Sequence, residues 1–349
     1  MSVPDLLQIS LGTTHGLRVS DAWFASLAEQ AGVSVETVSV RIGLMDRLRR
    51  AYPINDLVEA LAARRATASA VRRLQPRAVV FSTTTTALLA PDLRCPYAVR
   101  LDAPAVLNRP GAHNAVLHAL ERRSLAAATL VLPTSAAAER SLPPTSAPSV
   151  VVPPPLVVSE PPSQQGGERL AVAYTPDPKA KGLDILCRAW GLADVPPRAR
   201  LEVFGIEPER ALRHLRRTGV PEPPNVRWRG LTSPTEFHAA LARSTVFITS
   251  ARWEDFGMAQ LEALALGAVL VCTATAGPFE AGGLARELRP ELSAPDQSPG
   301  ALTSCIDRAF ALEEPEIESY RSSAGTLLAP YRPEVITRTI AERVAPALL

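Results

Sequence analysis

Lysine is almost missing from this chain. Two of its 349 residues are lysine, Lys179 and Lys181, and arginine supplies the rest of the basic charge. Cysteine is sparse too. Cys95, Cys187, Cys272 and Cys305 stand far apart, with no Cys-x-x-Cys pair and no His-rich tract. That spacing argues against a zinc site or a disulfide framework and fits a reducing cytosol. Three of the four lie in or beside apolar runs and read as small core residues. No apolar run approaches the ~18–20 residues of a spanning helix. No basic stretch followed by an apolar core opens the chain, so no signal peptide is expected and the protein is expected in the cytoplasm. A repeat of solenoid period is absent, and so is the G-x-G-x-x-G dinucleotide fingerprint.

Hydrophobic residues make up 46% and charged residues 21%, the balance of a globular chain with a large core. The length predicts two domains. A net charge of +2 argues against bulk nucleic-acid binding. The charge is unevenly spread. Residues 1–150 hold sixteen arginines and no lysine against eleven acids, and the remainder is net acidic. A basic first half fits an anionic acceptor or peripheral contact with an anionic membrane, with Arg64, Arg65, Arg72 and Arg73 on one helix face. A solvated helix face is the plainer reading of those arginines.

The apolar pattern alternates strand and helix along the whole chain, which predicts an α/β fold with parallel sheets. In residues 1–152, strands are expected at Leu6–Ser10, Val35–Val40, Ala78–Ser82, Tyr97–Leu101, Leu130–Leu132 and Val150–Val152. Helices are expected at Asp21–Ala31, capped by Ser20 or Asp21, at Leu57–Leu74 and at Ala115–Ala128. Residues 153–168, rich in Pro, Gly, Ser and Gln, read as a linker. From 169 to 332 the alternation restarts. Its strands are expected at 170–174, 201–205, 226–229, 246–249 and 268–272, and its helices at 182–190, 208–217, 234–242 and 258–266. A last helix, within 333–349, is expected to return to the first domain.

The most informative stretch is Trp253-Glu254-Asp255-Phe256-Gly257-Met258-Ala259-Gln260-Leu261-Glu262-Ala263-Leu264-Ala265-Leu266-Gly267. Glu254 falls in the loop after one predicted strand, and Glu262 falls about one turn into the next helix. Ligands of an open parallel sheet sit beyond the carboxyl ends of its strands. Gly257 allows close backbone approach, and the helix starting at Met258 aims free N–H groups at the same space, where phosphate is attracted. The segment thus offers a phosphate site flanked by two hydroxyl-binding carboxylates. Both lysines fall in a second loop of this kind, Tyr174 to Asp184. A compact ammonium suits a phosphate in a tight place.

The E-x7-E spacing, the Phe-Gly after the first Glu and the Glu-Ala-Leu-Ala-x-Gly after the second resemble the retaining glycosyltransferases of family 4. The resemblance implies a GT-B fold, two doubly wound Rossmann-like domains facing a cleft. It implies transfer of a sugar from a nucleoside diphosphate sugar to a small-molecule, glycan or glycolipid acceptor, with no metal and no cofactor. It places Lys181 on the donor phosphates, Glu254 on the donor sugar and Glu262 on the ribose. Thr175, Lys179, Gly205, Gly230, Leu231, Phe256, Gly257 and Met258 fall at donor-binding positions, as does Gly16 in the loop after the first strand. His15, Thr84 and Asp102 fall on the acceptor side, and Asp102 also counts as a catalytic candidate. Gly277-Pro278-Phe279-Glu280 resembles the family's Gly-x-x-Glu turn.

The chain departs from the family in three places. No arginine stands near Thr175, where the family has a second phosphate ligand, and Lys179 is the substitute at hand. His15 replaces the first of two glycines, and Asp102 stands where the family often has histidine. These departures keep open a second reading, a catalytically weakened binding or partner subunit on the same fold. An inverting or epimerising enzyme of this fold is a third, against which the E-x7-E element argues.

Overall fold

A computed structural model of the chain describes residues 3–13, 15–43, 47, 53–144, 147–158 and 169–349. The chain forms two compact units. One comprises residues 1–155 and 331–349, the other residues 156–330. Most of the expected linker, residues 159–168, lies outside the described residues.

The first unit is built on five parallel strands: β1 (Leu6–Ser10), β2 (Val35–Ser39), β3 (Ala78–Phe81), β4 (Tyr97–Leu101) and β5 (Leu130–Pro133), in the order β2-β1-β3-β4-β5. Four of the five are short, largely apolar and buried on both faces, with Gln8, Ser10 and Arg100 as buried polar exceptions, as parallel strands covered by helices are. Alternation sorts their side chains. Leu7, Ile9, Val79, Phe81, Val99 and Leu101 enter one apolar cluster with Ala62, Ala63 and Leu74 of helix Ile54–Leu74. Leu6, Val80, Ala98, Leu130 and Leu132 enter the other, with Phe24 and Leu27 of helix His15–Gln30. Ile336, Ile340, Val344 and Leu348 complete that second cluster. They recur every fourth residue along the terminal helices, which include a π turn over Ile340–Val344.

Two expectations here need correction. The first helix begins at His15, six residues before Asp21. The Asp21 carboxylate caps nothing there. It is buried against Arg100 and Ser10, which use its charge instead. The segment Val150–Val152 forms no strand. Val150 and Val152 donate to the carbonyls of Val131 and Pro133, but Pro133 has no N–H to return a bond, so the ladder stops.

The second unit has six parallel strands: β6 (Leu170–Tyr174), β7 (Arg200–Phe204), β8 (Val226–Gly230), β9 (Val246–Thr249), β10 (Val269–Thr273) and β11 (Ser293–Ala294), in the order β11-β10-β9-β6-β7-β8. The two-residue β11 carries too little pattern to be read from sequence. Neither do the preceding runs announce the helices Glu280–Leu288, Pro299–Phe310 and Glu314–Leu327 that close the unit. The strand order reverses between β6 and β9, where Ala171 pairs with Val246 and Val172 with Phe247. Such a reversal opens a crevice beyond the strands' carboxyl ends, the usual ligand site of a doubly wound sheet. The loops that border it carry both lysines and Glu254.

Candidate functional site

The two bordering loops are joined backbone to backbone. Gly182 closes the loop after β6 in the left-handed region, φ 63°. A Cβ there would meet the Ser250 carbonyl oxygen at 2.1 Å, so only glycine permits this approach. Ser250 Oγ donates to the carbonyls of Lys181 and Gly182, at 3.1 and 2.9 Å. Arg252 reaches across in the same direction. Its backbone N–H meets the Ala180 carbonyl at 2.8 Å, and its Nη1 meets the Lys179 carbonyl at 2.8 Å. The guanidinium also grips Asp184 with both nitrogens, at 3.0 and 2.7 Å. Burial pushes the Asp184 carboxyl up, but the Arg252 hydrogen bonds and charge outweigh it and hold the group below its ordinary value. Arg252 therefore fixes the lysine loop from the loop that follows β9.

This geometry brings Lys181 to Glu254. The ammonium donates to Glu254 Oε2 at 2.6 Å, with about a fifth of the lysine side chain exposed. Gln260, buried in the first turns of helix Met258–Ala265, donates to the same oxygen at 3.1 Å and lies 3.3 Å from Thr249 Oγ1. The carboxylate is thus oriented from two sides. Its backbone is held as well. The Glu254 carbonyl accepts from Phe279 N–H, and a Cβ on Gly277 would strike that carbonyl at 1.9 Å. The Gly277-Pro278-Phe279 turn is a wall against which the Glu254 loop is set.

Gly257 begins the helix with φ 93° and no side-chain cap. The first-turn N–H groups beyond it are those a helix leaves without intrahelical partners. Phe256 is buried, so its ring belongs to the packing and its contribution to a ligand is confined to the backbone. Met258 is half-buried at the helix start. Thr175 continues β6 by donating its N–H to the Phe204 carbonyl, and its hydroxyl is buried without a partner. Lys179 is exposed. Gly205 follows β7 and Gly230 ends β8, and the two share a hydrogen bond, Gly205 N–H to the Gly230 carbonyl at 2.9 Å. Leu231, 73% exposed, follows, its N–H held by Glu207 at 3.3 Å.

Glu262 sits apart from the Lys181–Glu254 pair in its hydrogen bonding. Burial pushes its carboxyl up to about 7. His238 Nε2, on helix Pro234–Arg243, stands 3.7 Å from its Oε2. Tyr174, at the end of β6, feels the same charge, and its ring packs 5.3 Å from Phe237.

In the first unit the expected residues stand beyond the ends of β1, β3 and β4. Asp102 is exposed just past β4. Thr84 starts helix Thr84–Ala87, and its hydroxyl bonds Glu121, a buried carboxyl raised by burial and partly offset by the Ala105 N–H and Thr84. Its hydroxyl is thus already engaged within the unit. Gly16 lies in the first turn of helix His15–Gln30, with open space around its Cα. The expectation for the His15 side chain lies outside the described residues. Arg64 spends its guanidinium on the carbonyls of Leu89 and Ala90. Among the described residues no helix is long and apolar enough to cross a membrane, and no cluster of ligands fit for a metal ion occurs. The four cysteines are free, and burial pushes Cys187 up to about 12, which keeps it an inert thiol.

Three site residues escaped the sequence reading: Arg252, Gln260 and His238. Gln260 lies inside the quoted motif, three residues past Gly257, where a first-turn side chain turns back on the loop. Arg252 and His238 act through partners 68 and 24 positions away, which no local spacing encodes.

Residues 170–311 match the family model described as Glycosyl transferases group 1. No curated protein sequence matches the chain. Among solved structures it is similar to sucrose-phosphate synthase from Thermosynechococcus elongatus, with a TM-score of 0.73 and 16% identity over 98% of each chain. It is similar to Anabaena HepE in complex with UDP-glucose, with a TM-score of 0.66 and 14% identity over 98% of this chain and 99% of that one. A UDP-forming trehalose-phosphate synthase from Burkholderia xenovorans gives 0.67 and 13% over 97% and 98%. The chain has the GT-B fold, two Rossmann-like units, and its second unit carries the sequence pattern of glycosyl transferases group 1.

Proposed function

We propose that this protein is a retaining glycosyltransferase of the family 4 type, which moves a sugar from a nucleoside diphosphate sugar to an acceptor bound by the first unit. One observation carries the reading. The loops at the β6/β9 reversal bring a lysine, a carboxylate and an uncapped helix start together, within a segment that matches the family model.

Each group has a task in the transfer. The donor diphosphate takes the Lys181 ammonium and the N–H groups at Gly257-Met258, which offset the charge that grows on the leaving group. Lys181 leaves Glu254 to do so, and Gln260 keeps that carboxylate aimed at the donor sugar. Glu262 accepts both ribose hydroxyls. Thr175 supplies a buried hydroxyl without a partner at the foot of the lysine loop. The acceptor hydroxyl attacks the anomeric carbon from the face the diphosphate leaves, and the diphosphate oxygen takes its proton. Positioning and charge stabilisation then carry the rate. Asp102, exposed beyond β4, is the acceptor-side carboxylate, and no resident metal or cofactor takes part.

A thermal-shift panel of UDP, GDP, ADP, CDP and dTDP tests this, with Glu262→Ala as control. The complexes and products named for two similar structures make UDP the first choice. A diphosphate at 100 times its dissociation constant stabilises the protein by about 2.7 kcal/mol. The expected result is one diphosphate that shifts the wild type and not the variant. If none shifts it, the partner-subunit reading takes its place. That reading has an observation of its own, since Lys181 is already neutralised by Glu254 and no arginine stands in residues 175–182.

A further inference from the structure

We infer that His238 is the positioning residue for Glu262, fixing the direction and charge of that carboxylate so that nucleotide binding releases a proton. The inference rests on Glu262 being the ribose ligand.

The geometry comes first. His238 projects from helix Pro234–Arg243, whose start is fixed by a reciprocal capping box between Ser233 and Glu236. Its neighbour Phe237 is wedged 5.3 Å from both Phe204 and Tyr174, which sets the helix against the ends of β6 and β7. The imidazole is 12% exposed, with Nε2 3.7 Å from Glu262 Oε2. Its Nδ1 is buried and has no hydrogen-bond partner. A protonated Nδ1 would be a buried donor without an acceptor and would cost free energy, which favours the proton on Nε2. The only charged group within ion-pair distance of the ring is Glu262, among the described residues.

The chemistry follows from two opposed effects of burial. Burial lowers the pKa of His238, which keeps the ring neutral at pH 7. Burial raises Glu262 to about 7, so its two forms are then nearly balanced. A neutral imidazole can donate from one nitrogen and accept at the other. With the proton on Nε2 it supports the carboxylate. With the proton on Nδ1 the ring would bury an N–H that has no acceptor, so the Nε2 proton, which faces the carboxylate, is the favoured one. At 3.7 Å this bond is not yet made, and closing it takes a small turn of either side chain. Tyr174 is the other titratable group that feels Glu262, and its hydroxyl is raised by burial and by that charge. Glu262 makes no ion pair with lysine or arginine among the described residues.

A ribose offers two hydroxyl donors, and an ionised carboxylate accepts both. The protonated acid must spend one oxygen as a donor. Nucleotide therefore selects the ionised form. Below about pH 7 its binding expels a proton, and affinity falls by up to about tenfold per pH unit. Removing the imidazole leaves Glu262 more often protonated, which moves that fall to higher pH.

Titration calorimetry tests this on the full chain, from pH 5.5 to 9 in buffers of different ionisation enthalpy. The probe is whichever of the five diphosphates shows Glu262-dependent binding. Wild type should release more proton near pH 6 than the diphosphate's own second ionisation accounts for. His238→Leu should bind more weakly at pH 7, recover at pH 9 and show its midpoint displaced upward. His238→Gln keeps a donor and should restore affinity at pH 7. Equal weakening of His238→Leu at every pH, with the wild-type midpoint, would overturn the inference and leave the donor site standing. If no diphosphate binds, the donor-site reading itself fails. Imidazole NMR of the free protein then decides the pair. A His238 resonance with an inflexion near pH 7 that Glu262→Gln abolishes supports the coupling, and its absence overturns it.

Discussion

Each unit keeps an ion pair at the carboxyl-end side of its sheet, and the two pairs live in opposite surroundings. In the first unit Arg100 of β4 meets Asp21 at 3.1 Å, with about 5% of either side chain exposed. Ser20, Ser10 and the Phe24 ring close around them. Burial lowers the Arg100 pKa, and Asp21 and Asp102 work against that shift. In the second unit Lys181 meets Glu254 at 2.6 Å with 22% and 14% exposed. The first pair is enclosed by protein and tied to a helix and a strand. The second opens to solvent on loops held together by close approach at Gly182 and Gly277. A sealed pair has no competitor for its charge, so its role is to hold the fold. An accessible pair can exchange one partner for a phosphate, which is what a binding site requires.

The largest effect that separates the two belongs to Asp21→Ala. It strands a buried arginine and should cost about 3–5 kcal/mol, read as a fall in the urea midpoint. An unchanged midpoint would erase the contrast. Lys181→Ala should do the reverse. Stability changes by no more than about 1 kcal/mol, while turnover falls on the order of 10²–10³-fold. A variant that turns over normally removes Lys181 from the chemistry.

Glu262 sharpens the contrast through pH. Its folded-state pKa is raised, so the folded protein holds a proton that the unfolded chain has already lost between about pH 4.5 and 7. Stability therefore falls as pH rises through that window, by no more than about 3 kcal/mol, and the loss is complete above it. Glu262→Gln should flatten this part of the stability profile. A profile of unchanged slope would mean that the carboxyl is not held protonated. Gly277→Ala is the smallest and most local test. Its new Cβ must displace the Glu254 carbonyl. About 1–3 kcal/mol of stability should be lost, together with diphosphate affinity in the thermal-shift panel.

The comparison also explains what could be read in advance. β1, β4, β6 and β9 were legible to the residue, because parallel strands buried on both faces are short, largely apolar runs, broken here by Gln8 and Ser10 in β1 and Arg100 in β4. Motif and rarity singled out Glu254, Glu262 and Lys181, and the strand grammar placed Lys181 and Glu254 in the loops after β6 and β9 and Glu262 in the helix that follows. The Arg100–Asp21 pair was not. Its members are 79 positions apart, and a buried charge looks the same in sequence as a solvated one. The mutual grip of Lys181 and Glu254 was hidden for the same reason. Each had been assigned to the ligand, and nothing in the spacing says that they hold one another first. Arg252 reads as one more arginine of an arginine-rich chain until Asp184 and the Lys179 carbonyl appear beside it.

The helices of residues 331–349 carry a consequence for how the molecule is made. Ile336, Ile340, Val344 and Leu348 seal a cluster whose other members, from Leu6 to Val152, are synthesised first. During translation that cluster stays open while the whole second unit, residues 156–330, emerges and can close around its own sheet. The first unit, the one expected to fold first on synthesis, is thereby completed only by segments made after the second unit.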